Sequence, residues 1–413
     1  NMADASIQVD RALNWLERHA DDDALLFVHL MDPHIFYQAP EPFLDRFTDP
    51  ADRQAMPDRY NRKDVIKQDR RGMLSADQKR WTRGRHMGEV AYMDQEIGRL
   101  FKAVDAMPGQ NWMVFHSDHG EEFWDHGGFE HNHSLHDELL RAVLWIRPPG
   151  GLSRIKRIDS PVSLVDVVPT LLGAIGVPRD TWPTFDGVDL SPFLTQPTDG
   201  LSKQLAVRPL QIGHMMYSPE QWGVIVGPNK YVVTTGTGKV DWTQSGVKQS
   251  GSNTDLEGAL SQATGWPILK GWRLHFSKLD APITLRTGRP FGHVEVIDPE
   301  DLKMRRANVE WGEVPTLSRG DVAKVSVSEG GKRLDIQPGK SPTGVIFIQG
   351  EKSSVMTGCE GEVLSMSQKV TVCGQAVELN WGLYLQEDLA VATPSSTPKS
   401  DQSKNLKILG YLE

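Results

Sequence analysis

Apolar positions along the first part of the chain switch between two periods. From Ala3 to His19, the residues Ala5, Val9, Ala12, Leu13 and Leu16 recur at helical spacing with Asp10, Arg11 and Glu17 outward, which predicts an amphipathic helix. Asp21, Asp22 and Asp23 interrupt the pattern before the next element and read as a solvated turn. Ala24 to Met31 (ALLFVHLM) is a short, nearly continuous apolar run, the pattern of a strand buried on both faces. It ends in Asp32-Pro33-His34. Pro40 to Lys79 is charged and poor in apolar residues, and reads as an irregular, lid-like excursion. A second helix is predicted over Trp81 to Val104, with Met87, Val90, Ala91, Ile97, Leu100 and Phe101 as its apolar stripe, stopped by Pro108-Gly109. Trp112 to Phe115 and Ala142 to Arg147 are further buried-strand patterns. Ser163 to Ile175 is helical around Leu164, Val167, Val168, Leu171 and Leu172. Helices alternating with buried strands that open into polar loops are the grammar of an α/β fold.

From about Leu205 the long helical stripes give way to frequent glycine and proline. Short strands are expected at Gln221 to Val226, Lys230 to Thr235, Pro282 to Leu285, His293 to Ile297, Ala323 to Val327, Gly344 to Gln349 and Lys369 to Leu379. The expected organisation is an α/β part over residues 1–204, an antiparallel β-rich part over 205–392, and a polar linker with a terminal segment, Asn405 to Glu413, over 393–413.

Charge and composition narrow the partners. A net charge of -9 over 413 residues, with no basic cluster, argues against a nucleic-acid partner. No apolar run reaches the ~18 residues of a membrane span. The opening NMADASIQ has no apolar core of the signal-peptide kind and does not start with methionine, so a start further upstream is expected. Cys359 and Cys373 allow one bridge at most; a pair formed on export and two reduced thiols both fit the sequence.

The candidate chemistry concentrates in Asn111 to Arg141. His116, His119, His126, His131, His133 and His136 all fall there, in a chain with 13 histidines. Asp118 and His119 follow a strand pattern directly, and a carboxylate and an imidazole at a strand end can bind one divalent cation. The H-x-H-x-D-H arrangement of metallo-β-lactamase-type hydrolases fails, because its first histidine would fall at Val114. His34 follows Asp32-Pro33 and is a second candidate, since proline restricts the backbone ahead of it. His29, inside the apolar run, reads as a core histidine. His131 and His133 form an H-x-H in which either imidazole can serve as a general acid. Asp125 and His126 suit loop orientation as well as substrate contact, and His136, Asp137 and Glu138 read as the acid-rich start of a helix.

The blocks FVHLMDPHIFYQAP, GEVAYMDQEIGRL, VFHSDHGEEFWDHG, HNHSLHDELLRAVLWIRPPG and SPVSLVDVVPTLLGAIGV resemble successive blocks of the sulfatase family, of the alkaline phosphatase-like superfamily. The resemblance spans residues 3 to 195, and NLKILGYLE is similar to that family's C-termini. It implies a partial α/β/α sandwich with a smaller C-terminal antiparallel domain and a divalent metal site of calcium type, with Mn2+ or Zn2+ as alternatives. Asp118 matches a metal-binding aspartate, and His119 the adjacent asparagine-or-histidine position. His34 matches a histidine that contacts the sulfate, while His131 or His133 lies where a proton donor near the leaving oxygen is found. The implied reaction is attack on sulfur by a formylglycine hydrate made from C/S-x-P/A-x-R, acting on a sulfate-ester small molecule or glycan in a periplasmic or extracellular setting. No C/S-x-P/A-x-R occurs among the 413 residues, and the strand ending in paired aspartates is also missing. The expectation is a C-terminal portion of a sulfatase, inactive without the N-terminal half of its catalytic domain. The competing readings are a phosphomonoester, phosphodiester or phosphonate hydrolase of the same superfamily, and a truncated, non-catalytic binding protein.

Overall fold

The computed structural model describes residues 4–35, 37–52, 65, 68–69, 71–150, 157–195, 199–214, 221–234, 239–251, 253–265, 268–276, 279–289, 294–297, 323–329, 332–339, 344–349, 356–359, 363–364 and 368–385. Residues 53–64, 66–67 and 70 of the excursion expected over Pro40 to Lys79, and the linker and terminal segment over 393–413, lie outside these residues. The chain divides into two compact units, one including Asn1–His131 and His136–Arg157, the other formed by Asn132–Leu135 and Ile158–Lys399.

In the first unit, α1 (Ala5–Arg18) starts at Asp4, whose carboxylate accepts from Ser6 N at 2.9 Å, and buries Ala5, Val9, Ala12 and Leu16. The helical period named that face correctly. It lies along α2 (Ala76–Ala106). This helix begins earlier than its stripe predicts, because Ser75 and Gln78 close a reciprocal capping box: Gln78 N donates to Ser75 Oγ at 3.2 Å and Ser75 N to Gln78 Oε1 at 2.8 Å. Its buried face also differs from the expected stripe. Met87 and Val90 are 45% and 40% exposed, whereas Trp81, Arg85, Gly88, Glu89, Tyr92 and Glu96 are buried. The cause is close backbone packing: a Cβ on Gly84 or Gly88 would stand 2.5 Å from the carbonyl oxygen of Phe47 or Phe43. Small residues and hydrogen-bonding groups therefore occupy the contact face, and Arg85 Nε donates to Tyr37 O at 3.0 Å.

The apolar run Ala24–Met31 is not the doubly buried strand that its composition predicts. Leu25 is 87% and Phe27 75% exposed, and no strand among the described residues pairs with the segment. A run of apolar residues sets a tendency to be buried, but neighbours on both sides are needed to realise it. His29 within it is half-buried beside Phe27, not a core residue.

Strand β1 (Met113–His116) pairs with β4 (Leu144–Arg147), antiparallel, from Met113 opposite Arg147 to His116 opposite Leu144. Between them lie the two-residue strands β2 (Glu122–Phe123) and β3 (Phe129–Glu130) and the single-turn helix α3 (Asp137–Leu140).

The second unit opens with a 3-10 turn, Leu164–Asp166, running into α4 (Val167–Ala174). The predicted apolar face is again only partly used: Val168 and Ile175 are 53% and 57% exposed, while Pro169 and Thr170 are buried. A polar network sets this orientation. Buried Asp166 accepts from Val188 N, Ser163 N and both terminal nitrogens of Arg208, at 2.7 to 2.8 Å, and Thr170 Oγ1 accepts from Leu190 N at 2.9 Å. Burial pushes the Asp166 carboxyl up, and Arg208 with the two amides brings it below the usual range.

Among the described residues beyond α5 (Asp199–Val207) the unit is antiparallel β with one further helix, α6 (Thr254–Thr264). Strands β5 (Leu210–His214), β6 (Gln221–Val226), β7 (Asn229–Thr234), β8 (Lys239–Gln244) and β9 (Val247–Lys248) form a meander that shares a core with α6 through Val224, Tyr231, Val233, Leu256 and Leu260. Two more five-stranded sheets follow. One contains β10 (Ile268–Phe276) at its centre, and the other contains β11 (Ile283–Thr287) at its centre. They share one core, including Trp272, Leu274, Ile283, Leu285, Leu334, Ile336, Ile346 and Leu379, and so form a β-sandwich. The single strand expected over Lys369 to Leu379 is two strands, Gln368–Val372 and Gln375–Leu385, because Cys373 and Gly374 take left-handed φ of 52° and 73° and turn the chain back. Cys359 and Cys373 are joined in a disulfide, with Cα atoms 5.2 Å apart.

Candidate active site

Strand β1 delivers Asp118 and His119. Ser117 fastens the end of the strand, its N donating to Val143 O at 3.1 Å and its Oγ accepting from Val143 N at 2.9 Å. Next to it, Gly120 N donates to Leu139 O at 3.0 Å, and a methyl on Gly120 would overlap the Glu138 carbonyl oxygen. Only glycine lets α3 come this close, and that contact holds the Asp118-His119 turn in place.

Within the turn, Asp118 Oδ1 accepts from His119 N at 3.0 Å. His119 Nδ1 lies 2.7 Å from Gly120 O; a carbonyl only accepts, so Nδ1 carries the proton and Nε2 is the electron-pair donor of the neutral ring. That Nε2 lies 3.7 Å from Asp118 Oδ2. Both donors thus converge as two ligands of one cation would, and their oxygen and nitrogen chemistry suits a divalent ion. Among the described residues no cluster of three or more histidine, cysteine or acidic side chains could hold a metal ion. The pair fits part of a metal site.

His34 follows a turn closed by its own N donating to Met31 O at 2.8 Å, and its Nδ1 donates to Ile35 O at 2.9 Å. His86, on α2, hydrogen-bonds the Pro33 carbonyl, and burial holds its pKa below the ordinary histidine value. Asp32 is held on the same short segment. Its Oδ2 accepts from Ala5 N at 2.7 Å, and its side chain hydrogen-bonds Glu89. Burial, then Asp32, push Glu89 up to about 9.

His131 joins these segments. Its ring centroid is 4.2 Å from that of His119 and 5.6 Å from that of His34. Its Nδ1 is 2.9 Å from Glu121 Oε1, and Tyr37 OH donates to the other oxygen of Glu121 at 3.3 Å. Burial raises the Glu121 carboxyl, but His131, together with His86 and His119, holds it below the usual range. Sequence reasoning does not single out Glu121; its one signal is an acid two residues past the candidate ligand His119. His133 stands on the segment Asn132–Leu135, which packs in the second unit: Leu135 N donates to Gln221 Oε1 at 3.2 Å and Lys230 Nζ to Leu135 O at 3.1 Å.

The remaining polar residues of the stretch hold loops. Asp125 Oδ2 accepts from Phe123 N at 3.2 Å, His126 stacks on His136 at 3.9 Å, and His126 Nδ1 is 3.2 Å from Glu138. Buried Glu122 accepts from the amides of His126 and Gly128 at 2.9 and 2.8 Å. Asp21 to Asp23 are exposed, with Asp22 paired to His19 at 2.7 Å.

Residues 2–177 match the family profile described as Sulfatase. Over 178 residues the chain is 26% identical to the uncharacterized sulfatase YidJ of Escherichia coli, covering 41% of this chain and 35% of that protein. A 90-residue stretch is 33% identical to a sulfatase of Formosa agariphila, covering 21% of this chain and 17% of the relative. Both alignments therefore span about a third or less of the curated relatives' lengths. Among solved structures, the phosphonate monoester hydrolase of Silicibacter pomeroyi aligns with a TM-score of 0.46 at 18% identity, over 60% of this chain and 55% of that one. BT4656, in complex with its substrate D-glucosamine-2-N,6-O-disulfate, aligns with a TM-score of 0.37 at 18% identity, over 58% and 62%. The described residues combine helices with antiparallel sheets, an α/β arrangement with a C-terminal β-rich region. The match to the sulfatase family covers less than half of the chain.

Proposed function

We propose that the chain carries part of the active site of a sulfuric ester hydrolase, acting on a sulfate-ester small molecule or glycan. The observation that carries this reading is the gathering of His34, His119 and His131 from three separate segments, beside Asp118, within the residues that match the sulfatase profile. A tetrahedral, anionic sulfate suits a ring of imidazole donors next to a cation. His34 already donates through Nδ1, so a sulfate oxygen bound at Nε2 makes that ring a cationic, two-armed donor. His131, in contact with both other imidazoles, is the proton donor to the departing alcohol in this reading, in preference to His133.

Asp118 and His119 would hold the divalent cation, of calcium type, with Mn2+ or Zn2+ as alternatives. Bound there, it would supply positive charge to the sulfate oxygens. The nucleophile motif C/S-x-P/A-x-R is absent from these 413 residues, and the further metal ligands are not found among the described residues. In this reading they come from additional polypeptide, and the chain alone is inactive. The disulfide between Cys359 and Cys373 supports a periplasmic or extracellular setting, since such bonds persist in oxidising compartments.

Binding tests the reading directly. Titrating inorganic sulfate into the chain in calcium buffer is expected to shift the imidazole NMR signals of His34 and His131, and H34A should remove the response. Signals that stay fixed up to high millimolar sulfate would contradict it.

A further inference from the structure

We propose that Arg273 is the centre of an anion-binding site in the second unit, taking one small oxyanion of the carboxylate, phosphate or sulfate kind. The proposal stands on the β-sandwich and does not draw on the sulfatase reading. Arg273 lies on β10, the central strand of its five-stranded sheet. Side chains alternate along a strand. Trp272, Leu274 and Phe276 enter the sandwich core, so Arg273 and His275 stand on the opposite face. That face is covered as well. Arg273 is 1% exposed, and Phe347, opposite it on the strand Gly344–Gln349, is wholly buried.

A guanidinium stays charged and can only donate hydrogen bonds. Once buried it needs acceptors, and a negative charge above all. Arg208, elsewhere in the unit, has both oxygens of Asp166 for this. Arg273 has no such partner: its Nε and Nη1 are shielded from solvent, and no acceptor among the described residues is within hydrogen-bonding reach of either. Glu378 shares the face but stands opposite His275, and its Oε1 accepts from Asn380 Nδ2 at 2.9 Å. Burial pushes the Arg273 guanidinium down to about 10. It pushes His275 down too, and the charge of Arg273 adds to that effect while Glu378 opposes it. Packing does not account for an arginine here, because an apolar side chain of similar length would fill the space with no charge to desolvate. The requirements on an occupant follow. It must be negative, offer oxygen acceptors to Nε–H and Nη1–H, and be small enough to lie under a covered face. An oxyanion meets all three, since charge-assisted hydrogen bonds to a guanidinium are the strong kind. Asn380, opposite Arg273, has two amide hydrogens, of which one goes to Glu378, and His275 brings a further ring nitrogen to the same face.

The test is 1H–15N correlation NMR of the arginine Nε–H groups in the 15N-labelled 413-residue chain, with Arg273 identified by the signal lost in R273K. In dilute Tris buffer, stepwise addition of sodium sulfate, sodium phosphate or sodium acetate is expected to move that signal saturably for at least one of the three. Sodium chloride at matched ionic strength should leave it in place. A signal unmoved by all three up to high millimolar concentration overturns the proposal, and so does one moved equally by chloride. Urea unfolding adds a second readout. With the active anion at ten times its Kd, the unfolding constant of wild type should fall about elevenfold, and R273M should show no such fall. An equal fall in both proteins would be a general salt effect and would overturn the proposal. Should R273M fail to fold, the wild-type titration still decides. Sulfate that moves His34 and His131 but leaves Arg273 untouched, with phosphate and acetate also silent there, sinks this proposal alone; a response at Arg273 that persists in H34A stands whatever becomes of the sulfatase reading.

Discussion

The imidazoles of His119 and His131 lie with centroids 4.2 Å apart and planes inclined by 34°. An ion held by the first is therefore sensed by the second. The chain is expected to bind calcium weakly through Asp118 and His119, with thermal unfolding moving upward at millimolar calcium. At ten times the dissociation constant the gain is about 1.4 kcal/mol. D118N should remove it. An equal calcium-induced rise in wild type and D118N would place the ion elsewhere.

Glu89, buried and next to Asp32, makes stability depend on pH. The raised value of Glu89, about 9, means that the folded chain binds this proton more tightly than the unfolded chain does. The contribution is therefore fully present below the ordinary carboxylate range and is lost as pH rises towards about 9. Urea unfolding between pH 5 and pH 9 should show wild type losing stability and E89Q losing less. Parallel pH profiles for the two proteins would count against it.

Arg208, partly buried, pairs with Asp166 within the second unit, with Asp166 wholly shielded from solvent and contacted through both oxygens. Removing the cation leaves a buried carboxylate with only amide partners. R208A is expected to cost about 3–5 kcal/mol in urea unfolding. A loss below about 1 kcal/mol would mean that water replaces the guanidinium.

Gly120 is held to glycine by the carbonyl of Glu138. G120A should destabilise the chain by about 1–3 kcal/mol through overpacking and, by moving the Asp118-His119 turn, abolish the calcium response. Retention of the full response in G120A would show that α3 does not set the turn.

Much of the candidate site could be proposed from sequence because its residues are local: Asp118 and His119 stand directly after an apolar strand, and His34 directly after Asp32-Pro33. The choice between His131 and His133 could not, since two residues' spacing says nothing about which imidazole meets His34 and His119 across the fold. Glu121 escaped for the same reason, because its partner Tyr37 is distant in sequence. In the fold, α1 followed its apolar period, whereas α2 did so at Ile97 but not at Met87 or Val90. Its contact face is built from Gly84, Arg85, Gly88 and Glu89, where close backbone approach and hydrogen bonds replace apolar side chains. The run Ala24–Met31 read as a central strand because composition registers the preference for burial and is blind to the neighbours that would provide it. At Cys373-Gly374 a cysteine in the left-handed region made a hairpin that an alternation pattern runs straight through.

The 413-residue chain on its own should release negligible p-nitrophenol from p-nitrophenyl sulfate, because it contains no C/S-x-P/A-x-R nucleophile. Robust turnover by the pure chain would show that another side chain attacks sulfur.

The most direct measurement is the initial rate of the complete gene product on p-nitrophenyl sulfate, set against its rate on a p-nitrophenyl phosphonate monoester, in calcium buffer. The sulfate ester is predicted to be the better substrate, with its turnover falling on the order of 10²-fold or more in H131A and D118N. A phosphonate ester cleaved faster than the sulfate ester, or sulfate turnover untouched by either substitution, would contradict the account.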